Sequence, residues 1–177
     1  IDLMVPEALA GPGRRGADLG LHGRTVARRA RGLEGALVDK RVQAIGSLDR
    51  GDPRILQVAV AGPGALLTAK LHKIAEREGK PGRLQDKDAL DVLRLLRAIE
   101  SETLVERLRL LTSSDLARET AQESVRFLVD LFGTRKGAGA LSAARALEGL
   151  QDQDTVTASC EALVEELIKA GLEIPIS

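Results

Sequence analysis

The 177-residue sequence has no Trp, no Tyr and only two Phe, a single Cys, two His and no long apolar run. With so few aromatic rings there is almost nothing on which successive bases can stack, which argues against recognition of single strands by aromatic platforms. One cysteine, Cys160, excludes an intrachain disulfide and makes a reducing cytoplasm the natural setting. Cys160 lies in an apolar helical pattern and reads as a buried structural thiol rather than a nucleophile. His22, between Leu21 and Gly23, has no metal partner at ligand spacing and reads as a surface residue. No stretch is long and apolar enough to span a bilayer, and the first residues lack the basic-then-apolar order of a signal peptide.

What is present is a globular composition: 44% hydrophobic and 29% charged residues, enough to bury a core in one domain or one domain with an appendage. The net charge of zero conceals an asymmetry. Residues 1–50 carry nine Lys/Arg against six Asp/Glu, whereas residues 113–177 carry six against eleven. An anionic partner would therefore suit the first part of the chain.

The chain opens on Ile1-Asp2-Leu3-Met4-Val5-Pro6, which reads as an interior strand and suggests a fragment of something longer. Gly, Pro and Arg then dominate from Glu7 to Gly23, predicting a long loop rather than packed structure. Arg14, Arg15, Arg24, Arg28, Arg29 and Arg31 could reach an anionic ligand or simply be solvated. Apolar-rich runs over 33–38, 42–48 and 55–60 predict three strands of a small antiparallel sheet, with a turn at Asp49-Arg50-Gly51-Asp52-Pro53.

The segment from Pro63 to Glu100 reads as two helices joined by a turn at Lys80-Pro81-Gly82. Pro63 suits the first helical position, because its missing N–H would have had no intrahelical partner. No Gly-Lys-Ser/Thr follows, so this is not a phosphate loop. Leu67, Leu71 and Ile74 share one helical face, and Lys70, Lys73 and Arg77 form a basic stripe beside it. In the second helix, beginning near Asp86 or Lys87, Asp88 and Asp91 share a face while Leu93, Leu96 and Ile99 supply the core side. An antiparallel hairpin would bring that carboxylate pair near the Arg77 end of the stripe. Spacing leaves two readings open. In one, the acids favour the helix dipole, Asp86 or Asp88 caps the first turn, and Arg77 pairs across the hairpin. In the other, the cations hold phosphates while the carboxylates orient them or act as bases or metal ligands.

Beyond Glu100 the pattern predicts a helical bundle. Ser101 is the expected cap of a helix through Leu104, Leu108 and Leu111, and Ser113 or Ser114 that of the next, which ends at Gly133. A loop over 134–140 precedes two last helices, 141–150 and about 155–170, the second stopped by Gly171. No acid, base or nucleophile cluster stands out there, which suggests a structural or partner-binding role.

The run LLTAKLHKIAERE, a short basic loop and QDKDALDVLRLL resemble the second half of nucleotidyltransferase-fold proteins of the AbiEii/AbiGii toxin type. The lead-in IDLMVPE is similar to the strand that carries a carboxylate beside the Asp-x-Asp metal pair of that fold. The resemblance covers roughly residues 1–98. It implies an α+β architecture: a small antiparallel sheet, the incomplete nucleotidyltransferase fold, in residues 1–62, followed by a helical hairpin and C-terminal bundle in 63–177. It further implies Asp2 as a metal ligand, Lys70 as a triphosphate contact, Asp88 as a catalytic or site-organising carboxylate, and Arg77, Lys87 and Asp91 as supporting groups. The cofactor would be Mg²⁺, and the substrate a nucleoside triphosphate. The acceptor would be an RNA such as tRNA, or a protein, and an antitoxin is an implied partner. The Gly-Ser…Asp-x-Asp element that holds the metal ions in this fold is absent from the sequence, so the chain alone is expected to be inactive. Two other readings stand beside this one: a non-catalytic helical interaction domain in which the hairpin is a salt-bridged scaffold, and a nucleic-acid-binding module that uses the arginine-rich loop.

Overall fold

The computed structural model describes residues 3–11, 15–78 and 86–175. The fold is α+β, as expected, but its helices dominate. The first long helix of the hairpin, α2 (Pro63–Arg77), buries Leu67, Leu71 and Ile74 along the predicted face. Its partner α3 (Asp86–Ala98) buries Ala89, Val92, Leu93 and Leu96. Three further helices, α4 (Ser101–Thr112), α5 (Arg118–Phe132) and α6 (Ala138–Ala146), and the last, α7 (Gln153–Lys169), complete the body. Helix α2 packs on α3, α4 and α5, and α3 packs on α6. One continuous core runs through all six, with Leu67, Val92, Leu93, Leu104, Leu128, Phe132 and Cys160 wholly shielded from solvent. The turn expected at Lys80-Pro81-Gly82 lies outside the described residues.

Several helix ends differ from expectation. Ser101 is the first helical residue rather than the cap; Glu100 takes the cap position without a side-chain bond. Ser113 and Ser114 close α4 instead of opening α5, since the Ser113 N–H donates to the Arg109 carbonyl. Helix α5 then begins at Arg118, and its Thr120 and Ser124 hydroxyls turn back to the carbonyls of Ala117 and Ala121. Helix α6 starts at Ala138, inside the stretch expected to be loop, and ends at Ala146. Asp152 caps α7, accepting from the Thr155 N–H at 2.9 Å. Gly171 ends the last turn at φ +94° as expected.

The first sixty residues build less. Strand β1 (Met4–Pro6) forms within the run expected to be an interior strand, but among the described residues it belongs to a two-stranded pair whose parallel partner is β2 (Arg28–Ala30), inside the arginine-rich segment, and Met4 is exposed. The described residues of the intervening stretch are more packed than the loop expected; residues 12–14, Arg14 among them, lie outside those described. Short 3-10 turns form at Glu7–Leu9 and Gly20–His22, and Ala10, Ala17 and Ala27 bury one another in a small separate cluster. The run 33–38 is also not a strand. It is a one-turn helix, α1 (Gly35–Val38), because flanking carboxylates are taken by long-range donors. Glu34 accepts from the Ala8 and Gly32 N–H groups, and Asp39 from that of Ala65 at the start of α2. A Cβ on Gly62 would stand 2.0 Å from the Asp39 carboxylate, so this cap requires glycine there. The antiparallel pair β3 (Lys40–Gly46) and β4 (Ile55–Ala61) forms in full register, Lys40 opposite Ala61 and Gly46 opposite Ile55. The expected three-stranded antiparallel sheet is thus a two-stranded ribbon, joined to the body chiefly where β4 meets α1.

Candidate functional site

Helix α2 presents two adjacent rows of side chains towards the N-terminal segment: Ala69, His72 and Glu76 in one, Lys70, Lys73 and Arg77 in the other. The second row converges on α3. Lys70 Nζ donates to Asp88 Oδ1 at 3.0 Å and to Asp91 Oδ2 at 2.7 Å. Lys73 Nζ reaches Asp88 at 2.9 Å, and the Arg77 guanidinium reaches its other oxygen, Oδ2, at 3.1 Å. The hairpin is therefore antiparallel, and all three cations, not the Arg77 end alone, meet the carboxylates. Arg94 approaches the far oxygen of Asp91 at 3.4 Å.

Asp88 is the centre of this cluster, with a side chain only 2% exposed. Burial alone would push its pKa up, but the hydrogen bonds from Lys73 and Lys70 outweigh it and hold the carboxyl below its ordinary range. Asp91, bonded by Lys70, is lowered as well. Burial works against the charge of Lys70, and its bonds to Asp91 and Asp88 more than offset this, raising the ammonium pKa. With both oxygens engaged by cations, Asp88 has little capacity left to take a proton from a substrate or to ligate a metal. Its hydrogen bonds fix the positions of the Lys70 and Lys73 ammonium groups, which are more exposed than the carboxylate itself.

Those groups open onto a cleft of about 1220 Å³ between α2 and the N-terminal segment. Seven Lys/Arg and four Glu line it, a surplus of positive charge. Lys70, Lys73 and Arg77 form one wall; Arg15, Arg28, Arg29 and Arg31 come from the other side. The second wall is fixed by its own pairs. Arg31 donates to Glu123 at 2.8 Å, to Glu119 at 2.7 Å and to Glu7 at 3.2 Å, and these bonds, with Glu123 first, raise its pKa. The Arg29 guanidinium lies 3.7 Å from Glu7. Gly32, at φ +86°, follows this strand with its Cα against His72; a Cβ there would stand 2.6 Å from the ring. That close approach sets the N-terminal segment over the cleft.

Of the expected site residues, Lys70, Arg77, Asp88 and Asp91 are brought together, with Lys73 added as an equal member. Lys87 is exposed on α3 and does not line the cleft. Asp2 lies outside the described residues. Asp86 is the first residue of α3 and its carboxylate reaches α6, accepting from Ser142 and from Arg145 at 2.8 Å. The burial of Asp88 was not expected, since spacing pairs it with Asp91 on a polar face; the signal was its place four residues before Val92 and eight before Leu96, on the row that α3 turns to the core. His22 belongs to a short 3-10 turn and is exposed, as expected. Among the described residues no group of three or more His, Cys, Asp and Glu is arranged to hold a metal ion, so these residues do not by themselves fit Mg²⁺. No helix among them is long and apolar enough to cross a membrane.

Searches of protein-family models, of curated proteins and of solved structures returned no match to this chain.

Proposed function

We propose that the cleft holds the phosphates of a nucleoside triphosphate, and that the chain serves as the triphosphate-holding part of a nucleotidyltransferase of the AbiEii/AbiGii toxin type. The observation that carries this reading is the row Lys70, Lys73 and Arg77, oriented from behind by buried Asp88 and facing a cleft with surplus positive charge. Cations held in place by carboxylates on their far side meet an incoming phosphate without reorganising. In transfer they would offset the charge that develops on the leaving pyrophosphate. The described residues would not hold Mg²⁺ themselves, so any such ion would have to come with the triphosphate. The acceptor would be an RNA, tRNA included, or a protein, with an antitoxin as regulatory partner.

A second reading rests on a specific observation of its own. Lys70, Lys73 and Arg77 are already paired with Asp88, as a salt-bridged scaffold within a helical interaction domain would require. The two separate in a calorimetric titration of the chain with Mg²⁺-free nucleoside triphosphate at low and moderate salt. The phosphate reading predicts measurable heat that falls with salt, because exposed charge–charge attraction is screened within about 8–10 Å near physiological ionic strength. It also predicts its loss in the double variant Lys70→Met/Lys73→Met. No heat at low salt, or binding indifferent to salt and to the double variant, leaves the scaffold as the function of the cluster.

A further inference from the structure

The phosphate row accounts for one side of the cleft only, and its neighbour on α2 has a different character. Next to His72 stands Phe127 of α5, whose ring centroid lies 5.3 Å from that of His72 with the planes at 88°. Both line the cleft, together with Met4 and Leu33 from the N-terminal segment and Ala69 from α2. Phe127 is half-buried, whereas the other Phe of the chain, Phe132, is wholly buried in the core. In a sequence without Trp or Tyr, the cleft therefore receives one of only two benzenoid rings. The His72 imidazole is held by its Nε2, 2.8 Å from the Thr120 carbonyl. An edge-to-face pair engages at most one face of either ring, so His72 steadies Phe127 without covering both of its faces.

Resting on the phosphate reading of the same cleft, we infer that Phe127 is the platform for the nucleobase, with Met4 and Leu33 as the apolar material opposite. Three features support this. The rows Ala69/His72/Glu76 and Lys70/Lys73/Arg77 are one helical step apart, so a ligand seated against both spans less than one helix diameter, about 10–12 Å with side chains. A cleft of about 1220 Å³ exceeds what phosphate groups alone occupy. And a single ring suffices for one base although it cannot hold a strand, since every base offers a π-face to an aromatic side chain. The ligand class is accordingly a single nucleotide, not inorganic polyphosphate and not a run of single-stranded nucleic acid.

The test compares ATP, GTP, CTP and UTP with inorganic triphosphate by calorimetry on the whole chain. At least one nucleotide should bind roughly tenfold more tightly than inorganic triphosphate, within the range that base–aromatic stacking supplies. In Phe127→Leu, which keeps an apolar side chain in the α5 packing, that preference should fall to about one. In Phe127→Trp it should persist. The indole is then the only Trp of the chain, so its emission should be quenched by the preferred nucleotide and not by inorganic triphosphate. Equal binding of all five ligands to the wild type, a preference that survives Phe127→Leu, or an unquenched indole overturns the base platform while leaving the phosphate site standing. Failure of all five to bind overturns the phosphate site, and the base platform with it.

Discussion

The two ends of this chain are held together by different physics. From Pro63 onward, six helices enclose one core of Leu, Val, Ala and Phe whose members are almost entirely shielded. Among the described residues before Gly62 the buried apolar side chains are three alanines, with Val5 and Leu19 partly buried against them, and the ribbon leaves Val42, Ile55 and Leu56 more than 60% exposed. Hydrophobic burial at about 25 cal/mol per Å² explains the first region and not the second. The N-terminal segment is instead tied to the body by polar contacts, Asp39 on the Ala65 N–H and Arg31 on Glu119 and Glu123, while Glu34 on the Ala8 N–H ties the segment to itself. The cleft lies along this boundary. A rigid helical wall thus faces a wall that is attached by bonds of modest strength, so local opening is expected to begin in the N-terminal segment.

The sharpest contrast should come from truncating one apolar side chain on each side. Leu93→Ala or Leu104→Ala, at fully buried positions, should cost about 3–5 kcal/mol in denaturant unfolding. Val42→Ala on the ribbon should stay within about 0.5 kcal/mol. Comparable losses at both would show that the ribbon is packed in solution and would break the division.

Next in size is Asp88→Asn, which strips Lys70, Lys73 and Arg77 of a buried anion and should cost about 3 kcal/mol. The effect has a pH signature. Asp88 and Asp91 have carboxyl pKa values below the ordinary Asp value near 4, so their contribution is complete above that value and is lost as pH falls through the lower native values. Lys70 is raised, so its contribution is complete below its ordinary value near 10.4 and is lost as pH rises through the higher native one. Melting curves of the wild type should therefore fall off below about pH 4 more steeply than those of Asp88→Asn. Parallel acid limbs would mean that the carboxylate is not paired as described.

Arg31→Met should cost no more than about 1 kcal/mol globally, because its side chain is over a third exposed. Its distinctive readout is hydrogen exchange: faster in Met4–Ala30, unchanged in α7. Uniform acceleration would argue that the two regions unfold as one. The smallest effect belongs to Cys160, whose thiol burial pushes up to about 11. It should resist thiol reagents at neutral pH until the helical body opens, and rapid labelling of the native chain would contradict the core assignment.

The helical body was largely readable from apolar spacing at three and four residues, which is the burial pattern that α2 to α7 display. Its boundaries were less so, since Ser101 and Ser113 have the side-chain chemistry of N-caps but neither opens its helix with a hydroxyl cap bond. The first region resisted reading for a physical reason. LEGALV is a short apolar run that fits a strand or a helical turn, and the outcome was set by Glu34 and Asp39 accepting from backbone donors 26 residues away. Strand β2 is Arg-Arg-Ala and carries no alternation to find. At the site, the basic stripe was visible, while the convergence of all three cations on Asp88 depends on how α2 and α3 cross. Asp88 looked like half of a surface pair because it was compared with Asp91, three residues on, rather than with Val92 and Leu96 on its own buried row.

On the phosphate reading, the buried carboxylate holds its cations ready for phosphate rather than merely bracing a hairpin. The most direct measurement is the shift in melting temperature on adding nucleoside triphosphate, taken on the wild type and on Lys70→Met/Lys73→Met. Ligand at a hundred times its dissociation constant contributes about 2.7 kcal/mol to the native state. For a chain of this size that corresponds to roughly 5–10 °C in the wild type, and the double variant should show no shift. Equal shifts in both proteins, or none in the wild type, would contradict the claim.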